Sequence, residues 1–195
     1  VCNLPEGKKY YEYIVKSNTG SDKSVTDIAT MIDVSLINEI TSVFEVASKD
    51  PEAYDYYIEN EPEYISSDPQ VILDTLRLSM LPEYPFPAEA DYAIKYVHAS
   101  LEKSLSPAFY MIPAIDNYKS NVIYINNLYT SSESGNLYST LAHEGFPGHL
   151  YQTTYFNATN PHPIRKTLNF LGYVEGWATY AELSSYEFAN FPKHN

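Results

Sequence analysis

Two histidines and a glutamate occur together in the segment HEGFPGH, residues 143–149, and a further acidic residue, Glu175, follows on a later segment. Two neutral imidazoles and one carboxylate can hold a zinc ion and leave one coordination position open for water. A second carboxylate beside that position can take the proton of the water. The residue types therefore predict a catalytic metal site with His143, His149 and Glu175 as ligands.

The spacing of the two histidines is unusual for such a site. They stand six residues apart, which on a regular helix turning about 100° per residue separates them by about 120°. The familiar spacing of four residues separates them by only about 40°. Pro147 cannot donate a backbone hydrogen bond and crowds the preceding turn, so it predicts a kink or bulge that turns His149 back towards the metal.

The remaining acidic residues suit distinct roles around this ion. Glu144 adjoins His143 and is predicted to be the general base towards the water and then the proton donor to the leaving amine. Glu175 comes 26 residues after His149, an interval that fits a helix end, a turn and a returning helix. We choose it as third ligand because Gly172 and Gly176 flank it, which permits close approach to the metal-binding helix. Glu182, on the same helix face, is predicted to orient a ligating histidine.

Charge and composition exclude several other classes of protein. The chain of 195 residues has 25 acidic and 12 basic residues and a net charge of −13, which argues against nucleic-acid binding. Its single cysteine, Cys2, excludes an internal disulfide. No apolar run approaches the roughly 18 residues of a membrane span, so the chain itself is expected to be soluble.

The first half of the sequence predicts helices. One spans residues 6–16, a second is capped at Thr26-Asp27 and carries one buried apolar stripe, and two more open at Asp50-Pro51 and Asp68-Pro69. The stripe comprises Ile28, Met31, Ile32, Leu36, Ile40, Val43, Phe44 and Ala47. Three prolines in residues 81–87 predict a rigid connector. We therefore divide the chain into a helical subdomain, residues 1–87, and a metal-binding core, residues 88–195.

The second half mixes helices with short strands. A helix is predicted over residues 88–101, and residues 108–112 and 122–125 read as an antiparallel hairpin. A loop at residues 131–135 precedes helices over residues 137–154 and 164–189, the latter divided near Gly172. The fold class predicted is α+β, mainly α-helical, with a small antiparallel sheet beside the metal-binding helix.

The two motifs also resemble those of a known family. LAHEGFPGHLYQ at residues 141–152 and EGWATYAE at residues 175–182 are similar to the paired signatures of the bacterial family called domain of unknown function 885. SPAFY at residues 106–110 and NVIYIN at residues 121–126 also resemble its segments. The likeness extends over most of residues 92–186.

The resemblance implies a zincin-like metallopeptidase of the gluzincin type, with zinc on His143, His149 and Glu175 and with Glu144 catalytic. It implies a peptide substrate that adds as a strand to residues 122–126. Family members are longer than this chain and often secreted or lipid-anchored. The expectation is therefore a central piece of an extracellular or envelope-anchored protein, lacking part of the cleft and possessing little activity alone.

Some assignments remain open at the level of sequence. Tyr124 and Tyr180 are among the tyrosines near the motifs that can donate to an oxyanion, although simple packing also explains them. Arg165 can clamp a substrate carboxylate or form a surface ion pair. The alternative function is a non-catalytic binding module with a structural or degenerate metal site.

Overall fold

A computed structural model describes residues 3–59, 66–85, 90–130, 136–168 and 170–187. These residues divide into two compact units, one formed by residues 3–59 with 170–172 and the other by residues 66–85, 90–130, 136–168 and 173–187. The predicted boundary at residue 87 and the predicted loop at residues 131–135 lie outside the described residues, as does Cys2.

The first unit contains three helices, α1 (Gly7–Thr19), α2 (Val25–Lys49) and α3 (Pro51–Glu59). Ser24 caps α2, because its hydroxyl accepts from the Asp27 amide at 3.1 Å while the Asp27 carboxylate accepts from the Ser24 amide at 3.2 Å. The cap therefore falls two residues before the predicted one. The Asp50 side chain caps α3 as the Asp-Pro pattern predicts, accepting from the Ala53 amide at 2.9 Å.

The predicted burial of the α2 stripe is wrong for this chain. No residue of α2 is buried, and its apolar side chains range up to Phe44, which is 69% exposed. Periodicity in a sequence shows that a helix has an apolar face, but it does not identify the surface that covers the face. The nine large apolar side chains that α2 exposes are Met31, Ile32, Val34, Leu36, Ile37, Ile40, Val43, Phe44 and Val46.

The second unit contains a three-stranded mixed sheet made of β1 (Tyr92–Tyr96), β2 (Ala108–Met111) and β3 (Asn121–Ile125), in the order β1-β3-β2. Strands β2 and β3 pair antiparallel, which confirms the predicted hairpin. The helix predicted over residues 88–101 is wrong, since β1 pairs parallel with β3 instead. Its short run of tyrosine and isoleucine suits a strand once β3 is present, and tertiary pairing overrides the weak helical pattern.

The described residues between 69 and 185 also form helices. They are α4 (Pro69–Ser79), α5 (Asn136–Glu144), α6 (His149–Ala158), α7 (Pro163–Thr167) and α8 (Leu171–Ser185). The buried core joins α4, α5 and the inner face of the sheet, and it includes Ile72, Leu73, Leu76, Ile123, Ile125, Leu141, Phe146 and Leu150. The architecture confirms the predicted α+β class with mainly helical content. Within the described ranges, we find no helix that combines the length and apolar character required to span a membrane.

Candidate functional site

A sharp turn joins the two histidines. Helix α5 ends at Glu144 and α6 begins at His149, so the helix predicted over residues 137–154 is fully interrupted rather than bulged. The Gly148 amide closes the turn by donating to the Ala142 carbonyl at 3.0 Å. The two imidazole rings then lie 4.8 Å apart between centroids and nearly perpendicular. Six-residue spacing therefore brings both rings together.

Gly148 has a steric reason to be glycine. A Cβ at this position would collide with the backbone carbonyl oxygens of His143 and Ala142. Those atoms belong to the last turn of α5 and cannot move without unwinding it. Any larger residue would therefore force apart the two segments that carry the histidines.

Trp177 ties helix α8 to the same turn. Its indole N–H donates to the carbonyl of the buried Pro147 at 2.9 Å, and its ring stacks near Tyr151 at 6.4 Å between centroids. Glu175 lies two residues earlier on α8. The flanking glycines that led us to choose Glu175 have a different environment from the one predicted. A Cβ on Gly176 would meet nothing within 4 Å, and the buried small residues of α8 are Ala178, Ala181 and Ser185.

The Glu175 carboxylate lies between the two imidazoles. Its Oε2 is 3.5 Å from Nε2 of His143 and 3.6 Å from Nε2 of His149. In a tetrahedral site with metal–ligand bonds of about 2.1 Å, neighbouring donor atoms are about 3.4 Å apart. These donor separations fit the edges of one coordination tetrahedron. Glu175 is 50% exposed, so its side of the group faces solvent.

Glu144 forms a group of potential ligands with the same two histidines. Single ligand atoms of His143, Glu144 and His149 all lie within 4.8 Å of one another, so this group could hold a metal ion. The Oε2 atom of Glu144 accepts a hydrogen bond from the Tyr110 amide of β2 at 2.8 Å. Burial raises the pKa of the Glu144 carboxyl and the charge of Glu175 adds to that effect, whereas the Tyr110 amide and His143 oppose it.

A second carboxylate contacts the outer nitrogen of His143. Oε2 of Glu182 lies 3.2 Å from Nδ1, which favours the tautomer with hydrogen on Nδ1 and a lone pair on Nε2. Burial lowers the pKa of His149, and the neighbouring His143 lowers it further, against the opposing charge of Glu175. A neutral imidazole is the form that binds a metal, so the lowered pKa of His149 favours its metal-binding form.

The other predicted site residues lie in different surroundings. Tyr124 stacks on Phe109 at 5.1 Å, on the face of the sheet opposite Ile123. Tyr180 is 59% exposed and lies 6.1 Å from Trp177 between ring centroids. The Arg165 guanidinium lies 5.6 Å above the Phe156 ring. None of the described contacts joins these three side chains to the histidines, and their roles stay predictions.

Other histidines and one tyrosine can also be placed. His98 follows β1 in a turn, outside the helix predicted for it, and its Nδ1 lies 2.8 Å from the Ser100 hydroxyl. His162 is exposed and caps α7, its side chain accepting a hydrogen bond from the Ile164 amide. The Tyr110 hydroxyl is buried and donates to Asn121 at 2.7 Å, and burial raises its pKa. Tyr110 therefore meets the site through its backbone amide, which sequence analysis missed.

The fold and the site define a mainly helical α+β protein with a candidate metal-binding group at the junction of α5, α6 and α8. The chain belongs to the bacterial protein family of unknown function designated DUF885, whose model matches residues 3–191.

Among solved structures, the chain is similar to one described as "the putative lipoprotein from Colwellia psychrerythraea", with a TM-score of 0.71 and 21% sequence identity. The match covers 97% of this chain and 36% of that one, so the chain spans about a third of that protein's length. At this identity the likeness establishes the fold alone. No curated protein matches the chain.

Proposed function

We propose that this chain carries the zinc centre of a peptidase, with His143, His149 and Glu175 as ligands and Glu144 as general base. The observation that carries the proposal is the spacing of the three donor atoms, 3.5 and 3.6 Å from Glu175 to the two imidazole nitrogens. Two histidines and one glutamate form a ligand set used by catalytic zinc in peptidases, which leaves a coordination position for substrate or water.

The chemistry then divides among the residues of the site. Zinc would supply Lewis acidity, polarising a carbonyl group and lowering the pKa of water in the open position. Glu144 accepts the proton of the attacking water and passes it to the amine that leaves. Its raised pKa favours this exchange, because a carboxylate with a higher pKa is a better base and can still release the proton. Glu182 holds the His143 ring in the ligating tautomer.

A peptide is the substrate that best suits the surroundings of Glu144. The strand that contacts this residue is β2, which has only β3 as a partner in the described sheet. The expectation that residues 122–126 form the substrate-binding edge is wrong, since β3 pairs on both sides. The side of β2 that faces away from β3 can instead take an extended peptide as an added strand.

The wider context follows from the length and surface of the chain. The similar structure is longer and is described as a lipoprotein, which supports an envelope-associated parent protein for this chain. The exposed apolar side chains of α2 support a further part of the parent chain as their partner. The zincin-like, gluzincin-type class and an extracellular location are part of the same proposal.

One observation favours the alternative, a binding module with a structural metal site. If Glu144 bound the ion as a fourth protein ligand, the site would be closed, and the carboxylate does lie within 4.8 Å of the histidine donors.

A Glu144→Gln variant separates the two functions. The peptidase proposal expects the variant to retain zinc, while hydrolysis of an unstructured test protein by the zinc-loaded intact parent protein collapses by at least about 100-fold. Loss of zinc from the variant would favour the structural site, and an unchanged rate would remove Glu144 from the mechanism.

A further inference from the structure

The outer edge of β2 carries backbone groups that point away from β3. In the antiparallel pair, Phe109 is opposite Tyr124 and Tyr110 is opposite Ile123. The Asn126 amide donates to the Pro107 carbonyl at 2.9 Å, which identifies 107 and 126 as a hydrogen-bonded pair. Because such pairs alternate along an antiparallel ladder, the backbone groups of Ala108 and Tyr110 face outward.

Two of these outward backbone groups form hydrogen bonds with side chains of the protein itself. The Tyr110 amide donates to Glu144 at 2.8 Å, and the Ala108 carbonyl accepts from the Ser106 hydroxyl at 3.0 Å. The outward backbone groups of a strand edge can also pair with an extended peptide once their covering groups move away. The edge beside the metal group is therefore closed by two short polar caps, and one cap is the proposed general base.

We infer that an extended peptide displaces the Glu144 and Ser106 side chains from this edge, which releases Glu144 to act as general base at the metal. This inference rests on the proposed function and adds a condition to it. A backbone carbonyl of the substrate accepts the hydrogen bond of the Tyr110 amide in place of the Glu144 carboxylate. A peptide N–H donates to the Ala108 carbonyl in place of the Ser106 hydroxyl. The freed Glu144 then has both oxygens available to the attacking water.

The inference specifies the class of substrate. A peptide that extends across β2 both binds and frees the base, whereas a short ester or a single amino-acid amide reaches the metal without touching Tyr110. Such short compounds leave Glu144 on the amide and are hydrolysed slowly even when they bind. The substrate is therefore an extended, unstructured polypeptide segment.

Two substitutions at one position provide the test. In Glu144→Gln the side-chain carbonyl still accepts the Tyr110 amide, whereas Glu144→Ala removes the cap, and both variants lack the base. We expect the zinc-loaded Ala variant to bind N-acetyl-hexaalanine amide about 3- to 10-fold more tightly than the Gln variant, as measured by calorimetry. That factor corresponds to one neutral hydrogen bond no longer displaced. A charge effect would raise the affinity of both variants equally.

Amide hydrogen exchange at Tyr110 gives a second readout that does not depend on turnover. The Tyr110 amide should exchange faster in the Ala variant than in the Gln variant, and the peptide should protect it in both. Ser106→Ala should also bind the peptide more tightly, with Ser104→Ala, in the preceding exposed turn, as the matched control.

The outcomes distinguish this inference from the proposed function. Cleavage of proteins by the wild type together with equal peptide affinities of the Gln and Ala variants would overturn the inference alone. Peptide binding without protection of the Tyr110 amide would do the same. Absence of peptide binding by all forms would overturn the inference and the peptidase proposal together.

Discussion

The hydrogen bond from Trp177 to the Pro147 carbonyl leads to a quantitative prediction for zinc affinity. Replacing Trp177 by phenylalanine keeps an aromatic ring against Tyr151 but removes the N–H that donates to the Pro147 carbonyl at 2.9 Å. This carbonyl belongs to a buried residue in the turn that separates the histidines. The substitution therefore weakens the contact between α8 and this turn, so Glu175 on α8 is held less firmly beside the two imidazoles.

The expected size follows from the loss of one buried hydrogen-bond partner. Leaving a buried carbonyl unsatisfied costs about 1–3 kcal/mol. If the zinc-bound state requires the intact turn and the free state relaxes, the whole cost falls on metal binding. The dissociation constant for zinc should then rise by about 5- to 150-fold, since about 1.4 kcal/mol corresponds to a factor of ten.

Competition with a chromophoric chelator measures this change directly. Tyr151→Phe is the matched control, because it removes a hydrogen bond to the Pro85 carbonyl at 2.9 Å from the same aromatic group and leaves Pro147 untouched. The control should lower the midpoint of thermal unfolding and leave zinc affinity unchanged. Equal zinc affinities for Trp177→Phe and the wild type, or equal losses in both variants, would refute the positioning role.

Three further substitutions have expected outcomes. Gly148→Ala should abolish zinc binding because the added Cβ has no space. Gly176→Ala, whose Cβ would meet nothing within 4 Å, should bind zinc normally and stabilise α8 by about 0.5–1 kcal/mol. Calorimetry with each variant checks both expectations. Glu182→Gln should weaken zinc binding by about 10- to 100-fold in the chelator assay. Burial, with Asp74 adding to its effect, raises the pKa of Tyr92 to about 12, so folding favours its neutral form and wild-type stability should fall between about pH 10 and 12. Denaturant unfolding across that range should show a smaller fall for Tyr92→Phe, and identical pH dependences would contradict this reasoning.

The sequence located His143, Glu144 and His149, which form a group that could hold a metal, but it predicted less well how they are brought together. The motifs pointed to His143, His149 and Glu175 because residue types carry chemistry that a single chain displays. The reason for choosing Glu175 was nevertheless wrong in detail, because Gly176 faces open space. Gly148 is the glycine that the turn requires, because a Cβ there would collide with the backbone of α5. This requirement depends on the path of the backbone, which the sequence does not show directly.

Long-range pairing and backbone groups account for most of what the sequence missed. Strand β1 was predicted as helix because its partner β3 lies far along the chain. Nearly every residue has a backbone amide, so the identity of Tyr110 does not predict that its amide donates to Glu144. Trp177 stands within the second motif, and a search for hydrogen-bond donors beside the predicted ligands would have found it.

Zinc content of purified variants tests most directly whether the three proposed ligands bind one ion. After loading and removal of excess metal, mass spectrometry should find about one zinc per chain in the wild type and in Glu144→Gln. It should find none retained in His143→Ala, His149→Ala or Glu175→Ala. Full retention in His149→Ala or Glu175→Ala, with each variant folded by circular dichroism, would contradict a single ion bound by all three side chains.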